Sequence, residues 1–469
     1  MQMNVRRPRL LRRSRAAGPR WRSIVAALLV ADAAFGFQQT GITPALPAVQ
    51  QDLGASQAWT AWVLSGYLVV GAISPPLLGK LADRSGKKLV LLAALTVFLV
   101  GSIGAALAPN IGVLVACRTV QGIGGVAFPL SFSIVRDEVP EQHRASAIGL
   151  LSGSLGVGAM AGYVLGGGLA ELLSWRWIFV VGAAALLVGV ALAAVVLPSS
   201  PTRDTRIDAG GALLFGGALA TLLLALTEGP QQGWQSALVV GSFAAAALLA
   251  IGFVVRETHT RSPLMELRVL TSRPVLATQV SSLLTGYVLF ATNLLIPYLV
   301  VTQTGLGLFG LAAGPLMTGL LLLPRALGQA VTGPIAGPLL RRFGPATTFC
   351  GAMLLMAGGA LGLALARDSA ALIVVETAAL GAGFGLSVST SGTIVVGAAV
   401  AGESGVATAL NAVLRRTGGG IGAQASVALL AAAGATGDAA FTVAFLTAGG
   451  AALLGAVTAA LSRPRRQPG

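Results

Sequence analysis

Gly79-Lys80-Leu81-Ala82-Asp83-Arg84-Ser85-Gly86-Lys87-Lys88 carries five ionisable side chains between two long apolar runs, Trp59 to Leu78 and Leu89 to Leu107. A bilayer needs about 20 apolar residues per crossing helix, so each flank is long enough to span while the charged stretch must lie in water. The stretch is therefore expected to be a short turn joining two membrane helices. Its four basic residues, Lys80, Arg84, Lys87 and Lys88, place it on the cytoplasmic side by the positive-inside bias, and every other loop follows by alternation.

Composition supports that class. Of 469 residues 55% are hydrophobic and 10% charged, which excludes a water-soluble globule and gives an all-α polytopic membrane protein. A net charge of +15 would suggest nucleic acid in a soluble chain, but here the basic residues follow the loops. Only Arg176 and Arg367 fall in loops assigned outside, while Arg118, Arg325, Arg415 and Arg416 lie within spans. Residues 1–22 hold eight arginines and no acid ahead of a full-length span. They read as a retained basic arm that orients the first helix and touches anionic lipid. No aromatic interleaves that run before Trp21, so nucleic acid is not an expected partner. Cys117 and Cys350 sit inside apolar spans as buried hydrophobes. His143 and His259 sit in charged loops, so carboxylates must carry any proton chemistry at depth. No metal or cofactor site is expected.

Apolar segments recur near 23–45, 59–79, 89–107, 111–135, 146–171 and 177–197, then 209–228 and 234–255, then 275–301, 311–336, 346–366, 371–396, 405–431 and 439–461. This gives fourteen spans with both termini cytoplasmic. The expected organisation is a basic arm (1–22), an N-terminal six-helix bundle (23–197), cytoplasmic linkers carrying two inserted helices (198–274), a C-terminal six-helix bundle (275–461) and a cytoplasmic tail (462–469). Twelve spans is the competing count. Gly337, Leu339, Arg342 and Gly344 repeat Gly79, Leu81, Arg84 and Gly86 at a constant offset of 258, so the two bundles share one plan. The second copy has Arg341 where the first has Asp83.

The pattern Gly-x-Leu-x-Asp-Arg-x-Gly-Lys-Lys, set between spans, resembles the signature loop between the second and third spans of the major facilitator superfamily. Arg118-Thr-Val-Gln-Gly-Ile-Gly124 resembles the fourth-span motif of its proton-coupled members, in which the arginine is linked to coupling. Gly158, Gly162 and Gly166 resemble the antiporter motif of drug exporters, except that the motif places a proline where this chain has Tyr163. Ala45-Leu46-Pro47 followed by Gln51-Asp52-Leu53-Gly54 resembles the start of the fourteen-span drug:proton antiporters, whose upstream acid aligns with Gln38. The resemblance implies two bundles rocking about a midplane cavity in a monomer of a bacterial plasma membrane, exporting a small amphipathic molecule in exchange for protons.

Charged residues at depth cost about 2.5–3.5 kcal/mol each on insertion scales, so those retained are functional candidates. Asp32, Arg118 and Glu376 are the expected proton-coupling set, with Asp32 taking over the displaced acid and Arg118 within reach of it across the first cavity. Gln38, Gln39, Gln121, Tyr287, Asn293, Arg325 and Gln329 are the expected substrate-cavity residues. Arg325 would offer donors to an anionic or carbonyl-rich substrate, or else pair with Glu376. Gly79, Asp83, Arg84, Gly86 and Arg136 form the expected gate, with Asp83 docking near Ser404 in the outward-open state, where free helix amides favour an anion. Gly158, Gly162 and Gly166 are expected to pack helices closely. No nucleotide-binding loop or nucleophile–base constellation is present, so the chain is not expected to be an enzyme or primary pump. A facilitator importing a small metabolite and a non-transporting sensor are the alternatives.

Overall fold

The structure, a computed structural model, describes residues 20–199, 208–260, 263, 273–302, 314–367, 369–398, 404–432 and 438–462. Most of the basic arm, the centres of both linkers and the tail lie outside the described residues. Among the described residues the chain is helical without strands.

The helices are α1 (Arg20–Gly41), α2 (Leu46–Asp52), α3 (Gln57–Ser85), α4 (Lys87–Ala106), α5 (Ile111–Gln121), α6 (Ala127–Glu138), α7 (Glu141–Leu172), α8 (Arg176–Val196), α9 (Ala209–Gln232), α10 (Ala237–His259), α11 (Arg273–Thr302), α12 (Pro315–Phe343), α13 (Pro345–Leu365), α14 (Ala370–Ala398), α15 (Ser404–Ala432) and α16 (Asp438–Leu461). A 3-10 turn over Thr43–Ala45 joins α1 to α2, and another over Gly122–Val126 joins α5 to α6, so these pairs each form one bent segment. Twelve segments are long and apolar enough to cross a membrane. The remaining two, α12 and α15, are 29 residues each and carry the arginines that dilute their hydropathy, Arg325, Arg341 and Arg342 in one, Arg415 and Arg416 in the other. Fourteen spans are compatible with this pattern.

The charged stretch is not a loop. α3 runs through Pro75 and Pro76 to Ser85, and the connection to α4 is Gly86 alone, at φ 97°. Gly344, at the repeat offset, makes the equivalent join of α12 to α13 at φ 79°. A positive φ costs glycine little and other residues considerably more, so a one-residue turn requires it there. Lys80, Asp83 and Arg84 therefore project from a helical extension beyond the apolar run. The hydrogen bonds of helix geometry satisfy their backbone, so charge alone does not stop the helix.

Helix packing reproduces the repeat. α1 packs on α7 and α8, α3 on α5, and α4 on α8, matched in the second half by α11 on α15 and α16, α12 on α14, and α13 on α16. α3 and α12 start 258 residues apart, as do α4 and α13. The halves meet along two seams, α7 with α12 and α3 with α15. α9 and α10 pair with each other, and α9 covers the α3–α15 seam. Asp208 caps α9 through the amide of Gly211 at 2.9 Å and accepts from Arg256 of α10 at 2.8 Å, fixing the inserted pair to each other.

Candidate functional site

α1 and α7 approach more closely than side chains would allow. A Cβ on Gly158 would fall 2.2 Å from the carbonyl of Ala33, one on Gly162 2.6 Å from that of Phe37, and one on Gly166 2.4 Å from that of Gly41. Thr40 adds a hydrogen bond to the carbonyl of Ala159 at 2.9 Å. At these glycines the backbones of α1 and α7 meet without intervening side chains, which holds the polar face of α1 in the interior of the first half.

Two polar groups occupy that interior. Asp32 is fully buried and accepts from Ser131 of α6 at 3.1 Å through Oδ1, while Oδ2 has no hydrogen-bond partner. Arg118 of α5, facing α1 near Gln38, is also fully buried. Its Nε donates to the carbonyl of Val63 at 3.1 Å, and its Nη1 donates to Gln121 Oε1 at 2.7 Å and to the carbonyl of Gln38 at 3.4 Å. Gln121 and Ser102 complete the network. Gln121 Nε2 donates to Ser102 at 2.8 Å and to Gln38 Oε1 at 3.3 Å, and Ser102 donates to Gln38 Oε1 at 2.8 Å. The ring of Tyr67 lies 4.8 Å from the guanidinium carbon, a cation–π distance.

The 3-10 turn explains how α5 brings Arg118 this close. A Cβ on Gly122 would meet the carbonyl of Tyr67 at 2.6 Å, and one on Gly124 would meet Phe98 at 2.4 Å, so only glycines let the bent segment press against α3 and α4.

The expected pairing of Asp32 with Arg118 does not occur. No ion pair within 4.0 Å joins them among the described residues, because each is held by a different set of helices. Gln38 and Gln121 converge on Arg118 as part of a network with it. Gln39 is half-buried.

In the second half Arg325 of α12 is buried and donates through Nη2 to the carbonyl of Leu289 at 2.7 Å. It does not pair with Glu376, which lies against α13, where a Cβ on Gly362 would fall 2.6 Å from Oε1. Asn293 of α11 is buried and accepts from the hydroxyl of Tyr163, on α7 of the other half, at 3.2 Å. Tyr287 sits apart from this group, beside Thr447 of α16, and Gln329 is exposed one turn from Arg325.

Sequence reasoning missed a second polar network. Asn411 Nδ2 donates to Gln279 at 3.1 Å and Ser282 at 2.6 Å, while its Oδ1 accepts from Ser391 at 3.2 Å and Arg415 at 3.2 Å. The available signal was Asn411 one turn before Arg415. Arg416 reaches across the seam, donating to the carbonyls of Gly71 and, at 3.4 Å, Gly125.

The halves are joined most firmly at the end of the bundle remote from Gly86. There Glu171 of α7 accepts from the first free amides of α12, at Leu316, at 2.9 Å, and a Cβ on Gly167 would fall 2.4 Å from the carbonyl of Pro315. The Thr43–Ala45 turn rests on α11 and α12 at the same end. Toward the Gly86 end of α7, a Cβ on Gly156, Gly153 or Gly149 would meet nothing within 4 Å among the described residues. At that end Asp83, Arg84 and Arg136 are exposed. Gly79 has open space around it, and Arg136 has Asp137 at 4.0 Å. Lys87 pairs with Asp137, and Lys88 donates to the carbonyl of Leu197 at 2.6 Å. The side chain of Ser404, the expected dock for Asp83, lies outside the described residues.

Among solved structures the chain resembles the POT family transporter PepTSo, with a TM-score of 0.72 at 15% identity over 95% of this chain and 98% of that one. It likewise resembles a peptide transporter POT in complex with sulfate, with a TM-score of 0.71 at 18% identity over 92–93% of both. These likenesses concern the fold alone. Sequence relatives include a "Multidrug resistance protein B homolog" of Mycobacterium tuberculosis, 32% identical over 72% of this chain and 62% of its own length. A "Tetracenomycin C resistance and export protein" of Streptomyces glaucescens is 30% identical over 84% of this chain and 72% of its own. The "Multidrug resistance protein Stp" of M. tuberculosis is 30% identical over 83% and 72%. This chain thus spans a little under two thirds of the first relative and more of the others. The model of the Major Facilitator Superfamily matches residues 28–423, taking in both halves, both seams and the Arg118 network, and the chain belongs to that family.

Proposed function

We propose that this transporter exports small amphipathic molecules from a bacterial cytoplasm in exchange for protons, with Asp32 as the proton carrier. The observation that carries the reading is the carboxylate of Asp32, sealed from solvent in the first half, with one oxygen held by Ser131 and, among the described residues, no donor on the other and no cation within ion-pair distance. A carboxylate buried for structure is expected to have its charge matched; one held by a single neutral hydroxyl can be carried either protonated or, once a path to water opens, ionised. Export rather than import is favoured by the names of three relatives, two multidrug resistance proteins and a resistance and export protein.

Arg118 acts here by shaping the wall beside Asp32. Its guanidinium ties α5 to the backbones of α1 and α3, so α1 cannot tilt without breaking several bonds at once. Glu376, buried with Oε2 unpartnered, is the second proton candidate. With the Gly86 end in the cytoplasm, the close contact at the far end and the open space beside Gly149, Gly153 and Gly156 support an inward-open reading, and an exposed Asp83 fits a gate that engages only when the bundle closes inward. At ~150 mV one inward proton supplies about 3.5 kcal/mol, enough for roughly a 300-fold gradient of a neutral substrate.

The test is transport into inside-out vesicles with an imposed proton gradient. Asp32→Asn is expected to abolish gradient-driven accumulation while leaving downhill exchange. Accumulation at the wild-type level by Asp32→Asn would move the coupling role to Glu376. Uptake of substrate into right-side-out cells, with none into inside-out vesicles, would make the chain an importer.

A further inference from the structure

Four guanidiniums lie buried or nearly so within the bundle, at Arg118, Arg325, Arg415 and Arg416, and no carboxylate lies within 4.0 Å of any of them among the described residues. Arg118 leaves Nη2 without a partner but is held by Val63, Gln38 and Gln121, Arg415 donates to Asn411, and Arg416 holds the seam through two carbonyls. Arg325 is anchored on one backbone carbonyl alone, that of Leu289, and its Nη1 is buried without a hydrogen-bond partner among the described residues. A guanidinium has five N–H donors in a rigid fork that matches a carboxylate, and a buried charge left unpaired is costly.

The surroundings of Arg325 supply what an anion's head and body would need. The hydroxyl of Tyr163 lies close enough to the guanidinium to interact with it electrostatically and is hydrogen-bonded to Asn293, so three polar side chains from α7, α11 and α12 converge. On α12 the buried side chains of Leu321 and Leu322 precede Arg325 by one turn on the same face, so the guanidinium is flanked by an aliphatic wall. We infer that Arg325, with Tyr163 and Asn293, is the headgroup site for an amphipathic anion, a carboxylate or acidic phenol carried on an apolar ring system. The inference rests on the export reading only for direction and names its substrate class. An amphipathic cation would enter a bundle whose four guanidiniums oppose it and would find no partner at Arg325.

The position also couples occupancy to the transport cycle. Arg325 and Asn293 belong to the second half and Tyr163 to the first, and the Tyr163–Asn293 bond closes the seam. An anion on Arg325 competes for the Tyr163 hydroxyl that donates in that bond, so loading weakens the closure that must break before the far end opens.

Equilibrium binding to the purified full chain in lipid nanodiscs tests this without any gradient, so it stands or falls separately from proton-driven export. Fluorescein, an anionic probe, is expected to bind saturably by polarisation, and ethidium, a cationic one, is not. Fluorescein is expected to be displaced by 1-naphthoate and not by 1-naphthylmethylamine or 1-naphthamide, which asks about charge sign with no mutation. Arg325→Gln should weaken fluorescein binding by about ten- to a hundred-fold, the range for one charge-assisted hydrogen bond, with Arg325→Lys retaining most of it. Tyr163→Phe should weaken it by a few-fold. Saturable ethidium binding in place of fluorescein, equal displacement by the three naphthalenes, or wild-type fluorescein affinity in an Arg325→Gln protein of unchanged elution and melting would each overturn the assignment.

Discussion

Gly158 and Gly156 lie two residues apart on α7, yet alanine at each is expected to act with opposite sign. A Cβ on Gly158 would sit 2.2 Å from the oxygen, 2.9 Å from the carbonyl carbon and 3.0 Å from the Cα of Ala33, all backbone atoms of α1 that cannot swing aside. Restoring ordinary contact means moving α1 away by about 1 Å in a close-packed interior, and overpacking of this kind costs about 1–3 kcal/mol. Gly156 meets nothing within 4 Å, so its alanine variant gains only helix propensity, about 0.8–1 kcal/mol. The two variants should therefore differ by roughly 2–4 kcal/mol in stability, with wild type between them. Thermal melting of all three proteins in one detergent measures the order directly. Gly158→Ala should also lose transport, because Ala33 adjoins Asp32 and a retreating α1 carries the carboxylate off Ser131, now 3.1 Å away. Melting of Gly158→Ala at or above wild type, or equal losses for both variants, would refute the close-approach argument.

Asp83→Asn should insert normally and transport poorly, because the exposed carboxylate is needed only when the gate closes; wild-type transport by a well-expressed variant would remove it from the mechanism. Asp204→Cys, in the linker outside the described residues, should react with an impermeant thiol reagent only in inside-out vesicles, and labelling in intact cells would invert the proposed topology.

The architecture was legible because its signals are coarse. Apolar length and the repeat offset at Gly86 and Gly344 need no knowledge of partners, and both glycines do take the positive φ that a one-residue turn demands. Where α3 ends was not legible, since helix propensity carries the backbone through a charged stretch that hydropathy assigns to a loop. The buried groups were found as candidates by their cost, but their partners were not. Depth alone placed Asp32 near Arg118, whereas the bonds they make depend on Ser131 of α6 for the one and on Val63 of α3 and Gln38 of α1 for the other, and no linear spacing encodes that convergence. Tyr163 was noted only as a missing proline. Its consequences are an α7 that runs unbroken for 32 residues and a hydroxyl delivered across the seam.

Rigidity and compliance are distributed in a way that suits two bodies moving against each other. Within the first half, Gly158, Gly162 and Gly166 bring the backbones of α1 and α7 into contact; in the second, Gly418 and Gly422 do the same for α15 against the carbonyls of Leu283 and Tyr287 on α11. Backbone contact at this distance forfeits dispersion steeply on separation, so each half resists internal shear. The seams also have close backbone approaches, at Gly167 and at Gly319 against the carbonyl of Tyr163, but their polar closures are few: Tyr163 on Asn293, Glu171 on Leu316, and Arg416 on Gly71 and Gly125. Net worth per hydrogen bond is about 0.5–1.5 kcal/mol, or about 1.5–3 where a charge takes part, so the polar closures together amount to several kcal/mol. That is comparable to the roughly 3.5 kcal/mol one proton brings at ~150 mV. A cycle driven by single protons requires barriers of that size at the seams and larger ones inside each half.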